Sequence, residues 1–265
     1  MCRFVAYLSD EPICLKTILE DPENSLIMQS FHAQKGLHRV NADGFGIAWY
    51  NHDIDDKPGI FKSIRPAWND MNLRNIAAKV KSDCVLGHIR YSTEGNVSIG
   101  NCHPFAYEQY SMVHNGSIHD FKSVKRHIID ELDDDIFTHI AGHTDSEFFF
   151  AMILQRMIKK GLSMKEAIID ALDRITQLQK QYNHVDKKLE INIALTDGNI
   201  LYATKYAFET EHCSLFYSEL EKNNNKSVIV ASEPLSNYNA HKWKKVDENC
   251  IVIVDNNKQV TIEPL

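Results

Sequence analysis

Four features spread along the chain combine into one kind of chemistry: Cys2, Arg90, the pair Asn115-Gly116, and Asp145. A methionine before a small residue is normally removed, so the working chain is expected to begin at Cys2. A free thiol has a pKa of about 8.5 and an α-amine one of about 8. Cys2 would then carry its own general base, as an N-terminal threonine does. Arg90 closes the apolar run Cys84–Ile89. Its planar five-donor fork suits a bidentate grip on a substrate carboxylate. Asn115-Gly116 reads either as a hairpin turn or as two neutral donors converging on one oxygen, an oxyanion hole. Asp145 reads either as charge at a helix N-terminus or as the acceptor of a substrate ammonium. Capping of that helix needs only Thr144 and Glu147, which leaves Asp145 available. As a set, these groups describe an amidase for a substrate with an α-amino-acid head, glutamine or another γ-glutamyl amide being the natural candidate.

The elements that must position these groups follow from periodicity. Arg3–Leu8 is apolar and β-prone, a strand that buries the start of the chain, with a turn at Glu11-Pro12. Helical spacing follows over 13–20 and 24–35, with Leu26, Ile27, Phe31 and Ala33 as buried members. Phe45–Tyr50 reads as a buried strand, His52–Pro58 as a polar turn and Gly59–Ile64 as a short strand. A helix is expected over 69–80 with Asn69 as its cap. Tyr110–His114 is a strand running into Asn115, and His119–Glu131 a helix. Thr144-Asp145-Ser146-Glu147 and Ser163-Met164-Lys165-Glu166 both carry capping-box spacing. Each should open a long amphipathic helix, the two lying side by side and separated at Gly161. From Leu189 the pattern is strands: Ile191–Leu195, Ile200–Thr204, Cys213–Tyr217, Ser227–Ser232, Cys250–Val254 and an edge strand at Thr261-Ile262. Asp197-Gly198-Asn199 is a hairpin turn, and Glu221–Asn225 a polar loop. Strands, then helices, then strands again suit an α+β domain over 2–265 with sheets packed together and helices outside.

Composition removes several alternatives. A formal charge of −7 lacks the basic face that a nucleic-acid or anionic-membrane binder needs. No apolar run is long enough to span a bilayer, and the N-terminus does not read as a secretory signal. The six cysteines show no CxxC spacing, which fits free thiols in a reducing cytoplasm. Among the 13 histidines, His88, His103 and His114 fall near the proposed groups. None forms HExxH or a CxxC-linked set, so neither a metal nor another cofactor is expected. Cys102 beside His103 ranks well below Cys2 as a nucleophile.

Six ordered segments carry a resemblance: Met1-Cys2-Arg3, Asn41-Ala42-Asp43-Gly44-Phe45-Gly46, His88-Ile89-Arg90-Tyr91-Ser92-Thr93, Asn101-Cys102-His103-Pro104-Phe105, His114-Asn115-Gly116 and Thr144-Asp145-Ser146-Glu147. Together they resemble the class II glutamine amidotransferases, members of the N-terminal nucleophile (Ntn) hydrolases. The likeness is to the stand-alone subgroup of YafJ-like proteins and of γ-glutamyl hydrolases of ergothioneine synthesis and glutathione breakdown. Ser232-Glu233-Pro234-Leu235 also looks like that subgroup. The resemblance implies a four-layer αββα sandwich with the N-terminus between the sheets. It further implies Cys2 as nucleophile, Asn115 and Gly116 as oxyanion hole, Arg90 as clamp for the substrate α-carboxylate, Asp145 as acceptor for its α-amine, and Thr93 lining the glutamine pocket. The segment from Arg39 to Asp43 departs from the Arg-Gly pattern of synthase-fused members, which leaves the roles of Arg39 and Asn41 open. No ammonia acceptor is expected in the same chain; a partner protein, either ammonia-accepting or a hydrolase, would take that place. Two other readings stay open: an Ntn hydrolase of a different, acylase-type amide, and a non-catalytic partner or sensor subunit that keeps the fold. Arg90 with Asp145 separates the γ-glutamyl reading from the acylase one, because an acylase needs no zwitterion clamp.

Overall fold

Strand β1 (Arg3–Cys14) is the middle of seven strands and is buried from Arg3 to Ser9. The computed structural model describes residues 2–35, 39–92, 96–183, 185–210, 213–235 and 242–265. Around β1 lie β2 (Phe45–Asn51), β3 (Asp55–Ser63), β4 (Lys81–Ile89), β9 (Phe216–Lys222), β10 (Asn225–Ala231) and β11 (Lys244–Lys245), in the order β11-β9-β10-β1-β4-β2-β3. A second sheet has the order β13-β12-β8-β7-β6-β5. It is built from β5 (Phe105–Tyr107), β6 (Tyr110–Ile118), β7 (Leu189–Thr196), β8 (Leu201–Phe208), β12 (Cys250–Val254) and β13 (Val260–Pro264). All pairings among the described residues are antiparallel.

Side-chain alternation sorts each strand between two faces. Phe4, Ala6 and Leu8 of β1 meet Val113, Ala194 and Val252 of the second sheet in the central layer. Val5 and Tyr7 face the other way, toward α1 (Lys16–Leu19), α2 (Leu26–His32) and α3 (Met71–Ala77). The outer face of the second sheet is covered by α4 (Phe121–Ile129), α5 (Asp134–Phe137), α6 (Asp145–Leu154) and α7 (Met164–Tyr182). This is the expected αββα sandwich. Helix α6 is buried along its whole length from Ser146 to Leu154, so it is a core helix and not an amphipathic one. Each of its Phe and Leu side chains contributes about 1.5–3 kcal/mol of burial.

Several expectations need correction. No turn interrupts β1 at Glu11-Pro12; the strand continues to Cys14 with a register shift between Leu8 and Ile13. The first helices are shorter than their spacing suggested, and Phe31 is 55% exposed with its ring edge-on to Trp68. β3 begins at Asp55, because an edge strand tolerates Pro58. Asp70, not Asn69, caps α3, accepting from Leu73 N at 2.9 Å. Asn115-Gly116 is no turn: both residues lie inside β6, opposite Asn192 and Ile191. Ser163 forms a complete capping box with Glu166, but Thr144 makes only half of one. The Glu147 carboxylate instead accepts from Ala141 N and Gly142 N. Cys213–Leu215 precedes β9 instead of opening it, and Asn223-Asn224 form a tight positive-φ turn into β10.

Two arrangements fix the start of β1. On its helix-facing side, Arg3 Nε donates to Glu233 at 2.6 Å and Arg3 Nη1 to the Cys2 carbonyl at 2.8 Å, both charges being buried. Glu233 also accepts from the backbone N–H groups of Gln34 and Lys35 and, at 3.5 Å, from Asn24. On the inter-sheet side, Ser232 Oγ accepts from Phe4 N at 3.1 Å, while Ser232 N donates back to the Phe4 carbonyl. Removing one partner of a buried ion pair leaves the other charge stranded, at a typical cost of about 3–5 kcal/mol. Glu233→Gln is therefore expected to lower unfolding free energy by about that amount in urea denaturation; a loss below about 1 kcal/mol would contradict the clamp.

Nearby, His88 of β4 donates from Nε2 to the His114 carbonyl and stacks on His103 at 4.0 Å. Burial holds all three histidines neutral: His88 is pushed down to about 3, and His103 and His114 lie below their ordinary value for the same reason. Below about pH 6.5 the unfolded chain takes up protons that the fold excludes. Stability is thus full above that pH and is lost as pH falls, by roughly 1.4 kcal/mol per unit for each histidine that stays neutral. Urea midpoints should fall between pH 7 and pH 5, and His88→Asn should flatten that slope; equal midpoints at both pH values would contradict the assignment.

Candidate active site

The alternation that sends Phe4 between the sheets also sends Cys2 there, two residues earlier. The Cys2 sulfur lies against the segment after β4: Tyr91 N donates to it at 3.3 Å, and the thiol points to the Tyr91 carbonyl at 3.4 Å. Burial raises the Cys2 pKa; the Tyr91 N–H and the positive charges of Arg90 and Arg3 oppose the rise. Burial therefore favours the protonated thiol, and forming the thiolate there would need a base.

The segment that holds the sulfur is itself held by Asp43-Gly44. Arg90 N donates to the Gly44 carbonyl at 2.8 Å, Asp43 N to the Arg90 carbonyl at 3.2 Å, and Ser92 N to the Asp43 carboxylate at 2.8 Å. Gly44 sits at φ +109°, and a Cβ there would fall 2.6 Å from Cys102 Sγ and 2.8 Å from the Ser63 carbonyl. Asn41 is buried and ties this stretch to α2, its N–H donating to the Ser30 carbonyl and its amide to that of Gln29. Arg39 is exposed.

Cys2, Arg90, Gly116 and Asp145 line one small cleft, with His103, His114, Thr144 and Ser146 completing it. Four of the six residues singled out from sequence are thereby brought together. Arg90 Nη2 donates to Ser92 Oγ at 3.2 Å. Gly116 lies so close to β7 that a Cβ would fall 1.8 Å from the Glu190 carbonyl, so only glycine fits. Asn115 shares the inter-sheet face with Val113, and its Nδ2 donates to Ser232 Oγ at 3.3 Å while Oδ1 is buried with no partner among the described residues. Thr93 lies outside the described residues. Roomier cavities, of about 340 to 630 Å³ against about 30 Å³ here, lie away from these groups. Chemistry, not volume, picks out this cleft.

Asp145 is not as free as its sequence context suggested. Oδ2 accepts from Ile118 N at 2.7 Å, and Oδ1 from Ser146 N at 2.8 Å. A carboxylate offers about four lone-pair positions, so it retains capacity for an ammonium. Neither histidine in the cleft has an uncommitted lone pair. His114 Nε2 must donate to the Glu190 carbonyl, which makes Nδ1 the acceptor of Ser146 Oγ at 2.7 Å. His103 Nδ1 accepts from His114 N at 3.1 Å. Cys102 is buried apart from the cleft, against the Ser63 and Ser98 carbonyls. The supporting groups that sequence reading did not single out are Ser92, Ser146 and Ser232. Serine is too common for position alone to mark it, although all three lie within the quoted segments.

With this geometry in place, comparison with known proteins is informative. A family model described as class-II glutamine amidotransferases matches residues 18–263. The chain is 35% identical over 293 aligned positions to the "Probable glutamine amidotransferase DUG3" of Saccharomyces cerevisiae, covering 96% of this chain and 82% of that one. It is 25% identical to the "Gamma-glutamyl-hercynylcysteine sulfoxide hydrolase" of Mycolicibacterium smegmatis over the full length of both. In fold it is similar to a glutamine aminotransferase class-II domain protein from Silicibacter pomeroyi, with a TM-score of 0.75 at 23% identity over 100% of this chain and 98% of that one. No helix among the described residues is long and apolar enough to cross a membrane. The chain belongs to the class-II glutamine amidotransferase family.

Proposed function

We propose that residues 2–265 form a single amidotransferase-type unit that hydrolyses the γ-glutamyl amide bond of glutamine or a γ-glutamyl compound, with Cys2 as nucleophile. The observation that carries this reading is the meeting of Cys2, Arg90 and Asp145 in one cleft. A guanidinium and a carboxylate on opposite charges of one α-amino-acid head would fix that head, and its side-chain carbonyl would be delivered to the sulfur. The names of the yeast and mycobacterial relatives support a γ-glutamyl head.

The sulfur is desolvated and both cleft histidines have their lone pairs committed. The base is therefore the α-amine that removal of Met1 would expose on Cys2 itself. It takes the thiol proton, and the thiolate attacks the γ-carbonyl carbon. Gly116 N–H and the Asn115 amide stabilise the resulting oxyanion. An amide flip, which exchanges nitrogen and oxygen, would free Nδ2 of Asn115 for this role, since Nδ2 now donates to Ser232 Oγ and Oδ1 has no partner among the described residues. The C–N bond then breaks, and the protonated α-amine returns its proton to the leaving nitrogen. Water, deprotonated by the same amine, cleaves the thioester and releases the γ-carboxylate and the thiol. These steps use side-chain and backbone groups alone.

A panel of variants tests the roles, assayed with glutamine and a γ-glutamyl dipeptide. Cys2→Ala should abolish turnover of both. Asn115→Ala should lower kcat by about 10²–10³, as loss of one oxyanion donor does. Asp145→Asn should act mainly on KM, because its contact with the ammonium is made before and during the reaction. Full activity in Cys2→Ala would refute the nucleophile; an unchanged KM in Asp145→Asn would refute the ammonium site.

A further inference from the structure

A second cavity, of about 340 Å³, shares no lining residue with the active-site cleft. The strip His103–Phe105 lies between them: the His103 ring lines the cleft, the Phe105 ring lines the cavity, and their centroids are 4.4 Å apart. Its size falls within the range of small-molecule sites, which combine apolar walls with a few convergent polar groups.

The walls are apolar. Phe150, Ala151 and Leu154 come from one side of α6, Ile136 from α5, and Ile99 and Ile140 from the segments around it. The polar inventory is short. The Glu147 carboxylate is held by the backbone, accepting from Ala141 N at 2.9 Å and Gly142 N at 2.7 Å. His139 Nδ1 is directed to the Asp135 carbonyl at 2.7 Å. Lys62 differs. Its Nζ lies 5.2 Å from the centre of the Phe105 ring, and among the described residues it makes no hydrogen bond or ion pair. Burial lowers its pKa, against the opposing pull of Cys102 and Glu147. A part-buried ammonium that touches a ring face and, among the described residues, pairs with no carboxylate is poorly compensated by Glu147 acting at a distance, and a matching anion would relieve that.

We propose that this cavity binds a small apolar monocarboxylate, an aromatic or branched aliphatic body packed between α6 and Phe105 with its carboxylate on Lys62. One cation beside apolar walls calls for one negative charge, and the nearby Glu147 carboxylate, held by two backbone N–H groups, disfavours the several of a phosphate ester. The site is independent of the γ-glutamyl reading, since no group of the cleft takes part in it.

Calorimetric titration of the full chain with phenylpropionate tests the proposal. Saturable binding is expected with a Kd of about 1 mM or tighter. Lys62→Met should weaken it at least about tenfold, equivalent to about 1.4 kcal/mol, whereas Lys62→Arg should restore it. The neutral analogue phenylpropanol should bind the native protein at least about tenfold more weakly, by the same arithmetic. Ala106→Trp, which places bulk at an exposed position of the lining, should block binding without disturbing the core. Glutamate should not compete. Absence of saturable binding, equal affinity in Lys62→Met, or competition by glutamate would each overturn the proposal.

Discussion

The structure depends on anchoring the first residues of the chain, which in most proteins are mobile. Here they begin the central strand of a sheet, and both faces of that strand are tied to the end of β10. Ser232 takes the backbone of Phe4 on the face between the sheets, and Glu233 takes the Arg3 guanidinium on the helix-facing side. Because Arg3 also donates to the carbonyl of Cys2, the ion pair reaches directly to the residue that carries the sulfur. Glu233 further accepts two backbone N–H groups of the 34–35 segment, so one carboxylate joins the N-terminus, the C-terminal half and the loop after α2. Desolvation makes such a pair a poor source of net stability; what it supplies is position.

The electrostatics of the cleft follow from the same burial. Three histidines crowd beneath it, and each is held neutral because its surroundings exclude water. Their nitrogens serve as fixed hydrogen-bonding points for the backbone of His114 and Glu190 and for Ser146. Among the described side chains that line the cleft, the charged ones are Arg90, after β4, and Asp145, at the start of α6. A zwitterion offers each of them a charge of opposite sign, which an uncharged acyl group does not.

Much of this was legible in the sequence. Cys2, Arg90, Gly116 and Asp145 were identifiable because each is a chemically distinctive residue at the end of a recognisable strand or helix. The four-layer order followed from the resemblance and from strands flanking a helical middle. What was not legible depends on contacts distant in sequence. Asp43-Gly44 could have been ordinary hairpin chemistry; only the approach of Arg90, Ser92 and Cys102 shows why a short carboxylate and a glycine stand there. Asn115-Gly116 has the composition of a turn, yet pairing with β7 keeps both in a strand. Phe31 has the spacing of a core residue, but α2 is short and presents it to Trp68 at the surface. The half-made cap at Thr144 reflects competition: the loop at 141–142 claims the Glu147 carboxylate first.

The account rests on a sulfur activated by its own amine and placed in an amino-acid-shaped cleft. The most direct measurement is intact and peptide mass after treatment with a glutamine-mimicking diazoketone. The account predicts one adduct per chain, on a Cys2 that has lost Met1, with excess glutamine protecting it. An adduct on another cysteine, or a reactive chain that retains Met1, would contradict it.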